Sequence, residues 1–286
     1  MTSIVRHAAL AGLAAAFVGT AGAQTVVTFE AAGANAAAIM ATRDSFRVAV
    51  GGGTVAGANG SFGGLRREIN WDGVPSGQSD PNPFPANFFN VNSPRGVVFN
   101  TPGTGFLVSA NAGDPVPTLF GFASDFQTFS AQKLFTAVNS SITDVSFFLP
   151  GTTTAATTTA FGLVFVDVEA AGSTRLDFFD AANHLFYTHD ALVAGNQGLS
   201  FLGGVVIGGS IARVRITSGS NTIVSNGVIG NPITDIVVMD DFLYAEPLLV
   251  TAVPEPSVFA LTGLGLLGLL ARRRRAAAKG MATASA

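Results

Sequence analysis

The sequence predicts a mainly β protein, an antiparallel β-sandwich or jelly roll with one short N-terminal helix, between a signal peptide and a C-terminal transmembrane helix. Three observations predict this class. From Gly96 onward, about ten short apolar runs are separated by turn residues, which is typical of sandwiches and jelly rolls. One segment near the N-terminus has the signals of a helix. Both ends of the chain carry an apolar run with basic residues beside it.

The first elements are a strand at 25–30 and a helix at 35–50. Asn35 is a suitable N-cap, and the glycines at 51–53 end the helix. One helix face carries three apolar side chains, which are Ile39, Phe46 and Val50.

A glycine-rich loop at 51–64 follows the helix and lacks the Lys and Ser/Thr of a phosphate-binding loop. Residues 65–95 are predicted to form a long structured loop, because they are rich in proline, Phe and Trp. The strands predicted beyond it are 96–100, 105–109, 119–123, 144–149, 161–169, 174–180, 184–188, 199–207, 211–217 and 234–244.

Residues 1–23 are predicted to be a signal peptide. Arg6 and His7 form a weakly positive start, 8–18 is apolar, and Ala21 and Ala23 form an A-x-A cleavage site. The mature chain should therefore begin at Gln24.

The segment 253–275 has three consecutive parts. The first is a proline-rich motif at 253–257, formed by Val253, Pro254, Glu255, Pro256 and Ser257. The second is an apolar run at 258–271, about 21 Å long as a helix against about 30 Å of hydrocarbon, which we interpret as a short transmembrane helix. The third is a basic cluster at 272–275, formed by Arg272, Arg273, Arg274 and Arg275. Arginines in this position are retained on the cytoplasmic side.

These three parts, in this order, resemble the PEP-CTERM sorting signal of exopolysaccharide-producing Gram-negative bacteria. The resemblance implies cleavage at or near 254–256 by an exosortase-type transpeptidase of the membrane. It also implies export through the Sec translocon, removal of the signal peptide by signal peptidase, a transient stay in the inner membrane, and release to the cell surface or extracellular matrix. The family usually ends soon after the arginines, whereas this chain continues through 276–286, which we expect to be a disordered tail.

The body of the chain, 24–250, is predicted to be one extracellular β domain. Residues 24–253 contain 9 Lys and Arg against 17 Asp and Glu, so their net charge is −8. An acidic body argues against nucleic acid as a partner and suits cations or neutral glycans. With no cysteine in the chain, an exported domain is held by its core or by metal ions. Its first and last strands also resemble those of other PEP-CTERM proteins and lectin-like jelly rolls.

Glu30, Asp240 and Asp241 form a candidate calcium site. The first and last strands of jelly rolls often lie side by side, which would bring these carboxylates together. Strand alternation nevertheless puts Asp240 and Asp241 on opposite faces, so at most one points into the site. The alternative is that all three lie on solvated strand faces.

A second candidate site surrounds Trp71. Its ring could stack on a sugar while Asn70 and Asp72 bind hydroxyls, or Glu68 and Asp72 could form a catalytic carboxylate pair. The alternative, which we favour, is a buried loop anchor in which Arg66 or Arg67 bridges to Glu68 or Asp72.

Other polar groups give weaker signals. Asp167 and Glu169 share a strand face as a conceivable metal or acid pair, although surface charge on a hairpin is the favoured reading. His184 and His189 lack a third His or Cys, which disfavours zinc, and no Gly-x-Ser-x-Gly motif is found.

The sequence as a whole therefore predicts a non-enzymatic, exported protein of the envelope or exopolysaccharide matrix, with no catalytic residues. The alternatives are a lectin-like glycan-binding module that contacts extracellular polysaccharide and a glycan-modifying enzyme.

Overall fold

The structure, a computed structural model, describes residues 24–224 and 234–249. The predicted signal peptide, the sorting signal at 253–275 and the tail at 276–286 lie outside these ranges. Within them no helix is long and apolar enough to span a bilayer. The strands of the described ranges are β1 Thr25–Gly33, β2 Ser61–Phe62, β3 Arg66–Ile69, β4 Val97–Asn100, β5 Gly105–Val108, β6 Phe135–Val138, β7 Ile142–Phe147, β8 Ala156–Thr157, β9 Ala160–Val166, β10 Arg175–Phe179, β11 Leu185–Asp190, β12 Leu199–Ile207, β13 Arg213–Thr217, β14 Val238–Ala245 and β15 Leu248–Leu249. The α-helices there are α1 Ala36–Val50 and α2 Phe88–Val91.

Helix α1 begins and ends as predicted. The Asn35 side chain accepts a hydrogen bond from the Ala38 amide at 3.3 Å, which satisfies a free donor of the first turn. Gly51 follows the last residue with a φ of 90°, a conformation that glycine adopts without strain. Ile39 and Phe46 are fully buried, so the predicted apolar face is confirmed at these positions.

The strands form antiparallel sheets. An eight-stranded sheet has the order β1-β12-β9-β14-β3-β2, with β6 also paired to β14 and β5 paired to β6. A five-stranded sheet has the order β11-β10-β13-β7-β4, and β15 pairs with β8. The prediction of a mainly β, antiparallel protein with one short N-terminal helix is confirmed.

One apolar core lies between the two large sheets. Its members come from both sheets and include Val145, Phe161, Phe165, Phe178, Leu202 and Ile216. Burial of these side chains from two sheets in one cluster holds the sheets together. Jelly-roll connectivity stays a prediction.

Helix α1 covers the opposite face of the eight-stranded sheet. Phe46 packs edge-to-face on Phe29 and Phe201, with ring centroids 5.7 and 5.5 Å away. Gly203 of β12 lies directly beneath this ring, because a Cβ at that position would be 2.9 Å from Phe46 ring carbons. The missing side chain therefore lets the helix approach the sheet closely.

Two local predictions are wrong, and strand β6 was not predicted. Residues 119–123 do not form a strand, because Leu119 and Phe120 have φ values of 53° and 56° and start a 3₁₀ turn. Residues 66–69, predicted as loop, form β3 and pair with β14. Its charged residues are typical of a loop, and two of them, Arg67 and Glu68, pair with Glu246 and Arg47 from other parts of the chain.

The predicted contact between the first and last strands is also wrong. β1 is an edge strand, and β12 and β9 lie between it and β14. At about 4.8 Å per strand, β1 and β14 are about 14 Å apart.

Candidate functional site

Trp71 is a core residue, with 1 % of its surface exposed. Its ring stacks on Phe135, and its Nε1 donates to the Asp240 carbonyl oxygen at 3.2 Å. Because the ring is enclosed, it cannot stack on a sugar, and the predicted glycan contact through Trp71 is corrected to a loop anchor.

The neighbours of Trp71 also make hydrogen bonds that hold the loop in place. Asn70 donates to Asp72 at 3.1 Å, and Asp72 accepts from the backbone amides of Gln132 and Lys133 at 2.8 and 3.2 Å. Glu68 instead accepts hydrogen bonds from Arg47 and Arg66. The carboxylates proposed as a catalytic pair, Glu68 and Asp72, are therefore held by different partners.

A cleft of about 550 Å³ opens between α1, β3 and β14. We call it the α1–β14 cleft, and six of its lining residues matter for its chemistry: Met40, Arg43, Arg47, Glu68, Arg95 and Asp241.

Asp241 lines this cleft, and the fully buried Asp240 lies beside it. The Ser130 hydroxyl lies 3.2 Å from Asp240 Oδ1 and 2.7 Å from Asp241 Oδ1. The prediction of opposite faces is wrong here, because the pairing of β14 with β9 shifts register between Met239 and Phe242. Such an irregularity breaks strict alternation and lets consecutive side chains contact one group.

Burial dominates the electrostatics of this pair. It raises the pKa of Asp240 and of Asp241, and the neighbouring Asp241 raises that of Asp240 further. Their oxygens already accept from the amides of Phe129 and Asp241 and from Ser130. Arg43 Nη1 lies 3.8 Å from Asp241 Oδ2. The pair is therefore stabilised by protein donors.

The arginines of the cleft differ in their partners. Arg47 makes a bidentate pair with Glu68, at 2.8 and 2.5 Å. Arg43 Nε lies 2.8 Å from Asp44 Oδ1, within ion-pair distance but without hydrogen-bond geometry. This contact contributes little to stability, because Asp44 is half exposed.

Arg95 is the least satisfied of these cations. Its guanidinium lies 4.7 Å from the centre of the Phe89 ring, and its buried Nε has no hydrogen-bond partner. Burial lowers the pKa of Arg95, and the described ranges place no carboxylate beside it that would offset this effect.

Glu30 lies elsewhere, so the predicted three-carboxylate calcium site does not form. Glu30 Oε2 is 2.8 Å from His189 Nε2, a contact between the edges of the two sheets. In the described ranges no three His, Asp or Glu side chains come close enough to hold a metal ion. Calcium binding as such stays a prediction.

The remaining candidates are also separated. Strand β9 ends at Val166, and Asp167 has a φ of 74°, so Asp167 is buried while Glu169 is exposed. Burial is the main reason that the pKa of Asp167 is raised, to about 7. His184 lies beside Asp180 at 3.4 Å, away from the pair formed by His189 and Glu30.

Sequence reasoning missed five residues of the cleft, which are Met40, Arg43, Arg47, Arg95 and Ser130. Arg43 interrupts the apolar face between Ile39 and Phe46, which was a usable signal of a buried arginine. Ser130 and Arg95 lie in loops and carry no such signal.

The comparisons with known proteins concern the C-terminus, outside the described residues. Residues 252–275 match the PEP-CTERM protein-sorting motif. No curated protein matches the chain. The motif indicates export, a transient membrane stage, and processing by an exosortase-type enzyme. The chain therefore carries a PEP-CTERM protein-sorting motif at residues 252–275.

Proposed function

We propose that this chain is a non-enzymatic protein of the cell envelope or exopolysaccharide matrix, released by exosortase-type cleavage at 254–256. The observation that carries the proposal is the sorting motif at 252–275. The β domain described over residues 24–224 and 234–249 is its cargo.

The chemistry of the signal supports a sorting mechanism. Four consecutive arginines are retained on the cytoplasmic side and stop transfer of the chain. Pro254 and Pro256 prevent the apolar helix from extending backwards. The Pro-Glu-Pro segment is then presented at the outer face of the inner membrane, where a membrane transpeptidase can reach it.

The folded domain supports a non-enzymatic role. The carboxylates that sequence reasoning paired for catalysis, Glu68 and Asp72, are each engaged by structural partners. Trp71, the ring that a lectin would offer to a sugar, is enclosed in the core.

Cell fractionation with mass spectrometry of the mature termini tests the proposal in a host that has an exosortase-type enzyme. The wild-type chain should begin at Gln24 and end within 253–257. Replacement of Arg272–Arg275 by Ser should abolish membrane retention and C-terminal cleavage, whereas replacement by Lys should preserve both because it keeps the charge. Unchanged retention and processing in the Ser variant, together with unchanged membrane retention of a chain lacking 253–286, would contradict the proposal.

A further inference from the structure

We propose that the α1–β14 cleft binds a carboxylate-bearing sugar unit, a hexuronate of an acidic polysaccharide, through Arg95. The biological setting rests on the proposed function, delivery to a polysaccharide-rich exterior. The binding chemistry rests on the cleft alone.

The cleft concentrates positive charge in an acidic domain. Of the 9 Lys and Arg in residues 24–253, five lie on α1, on β3 or just before β4. They are Arg43, Arg47, Arg66, Arg67 and Arg95. Arg43, Arg47 and Arg95 line the cleft, whereas Arg66 and Arg67 form ion pairs with Glu68 and Glu246.

The carboxylates of the cleft do not pair with Arg95. Glu68 has both oxygens bound, since Arg47 donates to Oε1 and Oε2, and Arg66 also donates to Oε1. Asp241 shares the Ser130 hydroxyl with Asp240, and burial favours the neutral form of that pair.

Arg95 supplies the free cation. It lines the cleft, its guanidinium is held against the Phe89 ring, and its buried Nε makes no hydrogen bond. A guanidinium presents two parallel N–H groups that match the two oxygens of a carboxylate. An incoming carboxylate would therefore pair with a cation beside which the described ranges place no carboxylate.

The rest of the lining suits a sugar. The volume of about 550 Å³ falls within the range of about 300–1,000 Å³ usual for small-ligand sites. Asn59 and Asn70 bring side-chain amides to the lining, and Met40 and Phe129 bring apolar surface. Amides bind hydroxyls, while apolar side chains cover the carbon face of a ring.

The test is calorimetric titration of the full-length protein, purified in detergent, with a tetramer of glucuronate and a matched tetramer of glucose. The acidic tetramer should bind at least tenfold more tightly than the glucose tetramer, and 0.5 M NaCl should weaken its binding. Arg95→Gln should reduce its affinity at least tenfold, Arg95→Lys should reduce it less, and Arg175→Gln, on the other large sheet, should leave it unchanged. Equal binding of both tetramers, or full binding by Arg95→Gln, would overturn the proposal.

A second pair of variants covers the case in which Arg95→Gln does not fold. Met40 is 43 % exposed and lines the cleft, so Met40→Glu adds a negative charge without disturbing the core. Met40→Glu should lower the affinity for the acidic tetramer severalfold, and Met40→Gln should leave that affinity unchanged. If inorganic phosphate binds as tightly as the tetramer, the cleft is a general oxyanion site and the sugar assignment fails. Loss of sugar binding would leave the fractionation result unaffected, so the two proposals fail separately.

Discussion

The indole ring of Trp71 stacks on the phenyl ring of Phe135, with centroids 4.0 Å apart and an angle of 4° between the planes. Trp71 adopts this position with a φ of 66°, which is unusual for a bulky side chain. The surrounding core therefore holds the loop in a conformation that the local sequence does not favour.

Trp71 should report its own burial by fluorescence, because it is the single Trp of the chain. Its emission should be blue-shifted, and iodide should quench it only weakly in the native state and strongly in urea. Free indole in the same buffer is the control. Native quenching as strong as that in urea would show that the ring is exposed and would restore the glycan-contact reading.

Gly203→Ala should destabilise the domain, because the added Cβ would lie 2.9 Å from the Phe46 ring. Overpacking of this kind costs about 1–3 kcal/mol in the free energy of unfolding, measured by urea denaturation. Gly77→Ala is the matched control, since a Cβ there has no heavy atom within 4 Å. If both variants unfold at the wild-type urea concentration, α1 does not pack on β12 as described.

Asp167→Asn should stabilise the protein above neutral pH. The pKa of Asp167 is raised from 3.8 to about 7 in the folded state, so the fold favours its neutral form. Wild-type stability should accordingly fall as pH rises from about 4 to about 7 and then level off. Asn stays neutral, tolerates the φ of 74°, and can still accept from the Gln197 amide.

The Tm difference between Asp167→Asn and the wild type should be near zero at pH 4 and reach a few degrees at pH 8, at about 2–4 °C per kcal/mol. Asp190→Asn, at an exposed site, is the control. A Tm difference that does not change with pH would argue against a buried, protonated Asp167.

Asp144 should show the opposite pH dependence. Burial opposes its ionisation, but hydrogen bonds from Arg215 and Arg213 outweigh burial and lower the pKa of Asp144. The ion pairs therefore stabilise the fold above about pH 4, and this stabilisation is lost as pH falls through the lowered pKa.

At pH 7, Asp144→Asn should lower the free energy of unfolding by about 1.5–3 kcal/mol, the usual contribution of hydrogen bonds to a charged group. Arg175→Gln, which removes a looser pair of 3.4 Å with Asp177, should cost less than about 1 kcal/mol. If the two variants lose the same free energy of unfolding at pH 7, the ion pairs of Asp144 are no stronger than the pair of Arg175 with Asp177.

Several elements of the fold were predictable because their signals are local. Asn35 and Gly51 mark the ends of α1, and the apolar runs of β9 and β12 mark strands. β3 was not predictable, because Glu68 and Arg67 find their partners Arg47 and Glu246 elsewhere in the chain, and the contact of Arg67 with Glu246 spans 179 residues.

The sequence predicted some members of the candidate site but not its arrangement. Asp240 and Asp241 are together in the sequence, but a register shift in β14 decides that both contact Ser130. Glu30 was grouped with them by an expected strand order that β12 and β9 interrupt.

The sequence by itself determined the mainly β class, helix α1 and the sorting motif, because each is written in consecutive residues whose spacing or order carries the signal. Only the tertiary structure decided that Trp71 is buried and that Arg95 borders a cleft with Asp241. These outcomes depend on contacts such as that of Ser130 with Asp241, 111 residues apart. Strand pairing sets such contacts, and no local pattern in the chain records them.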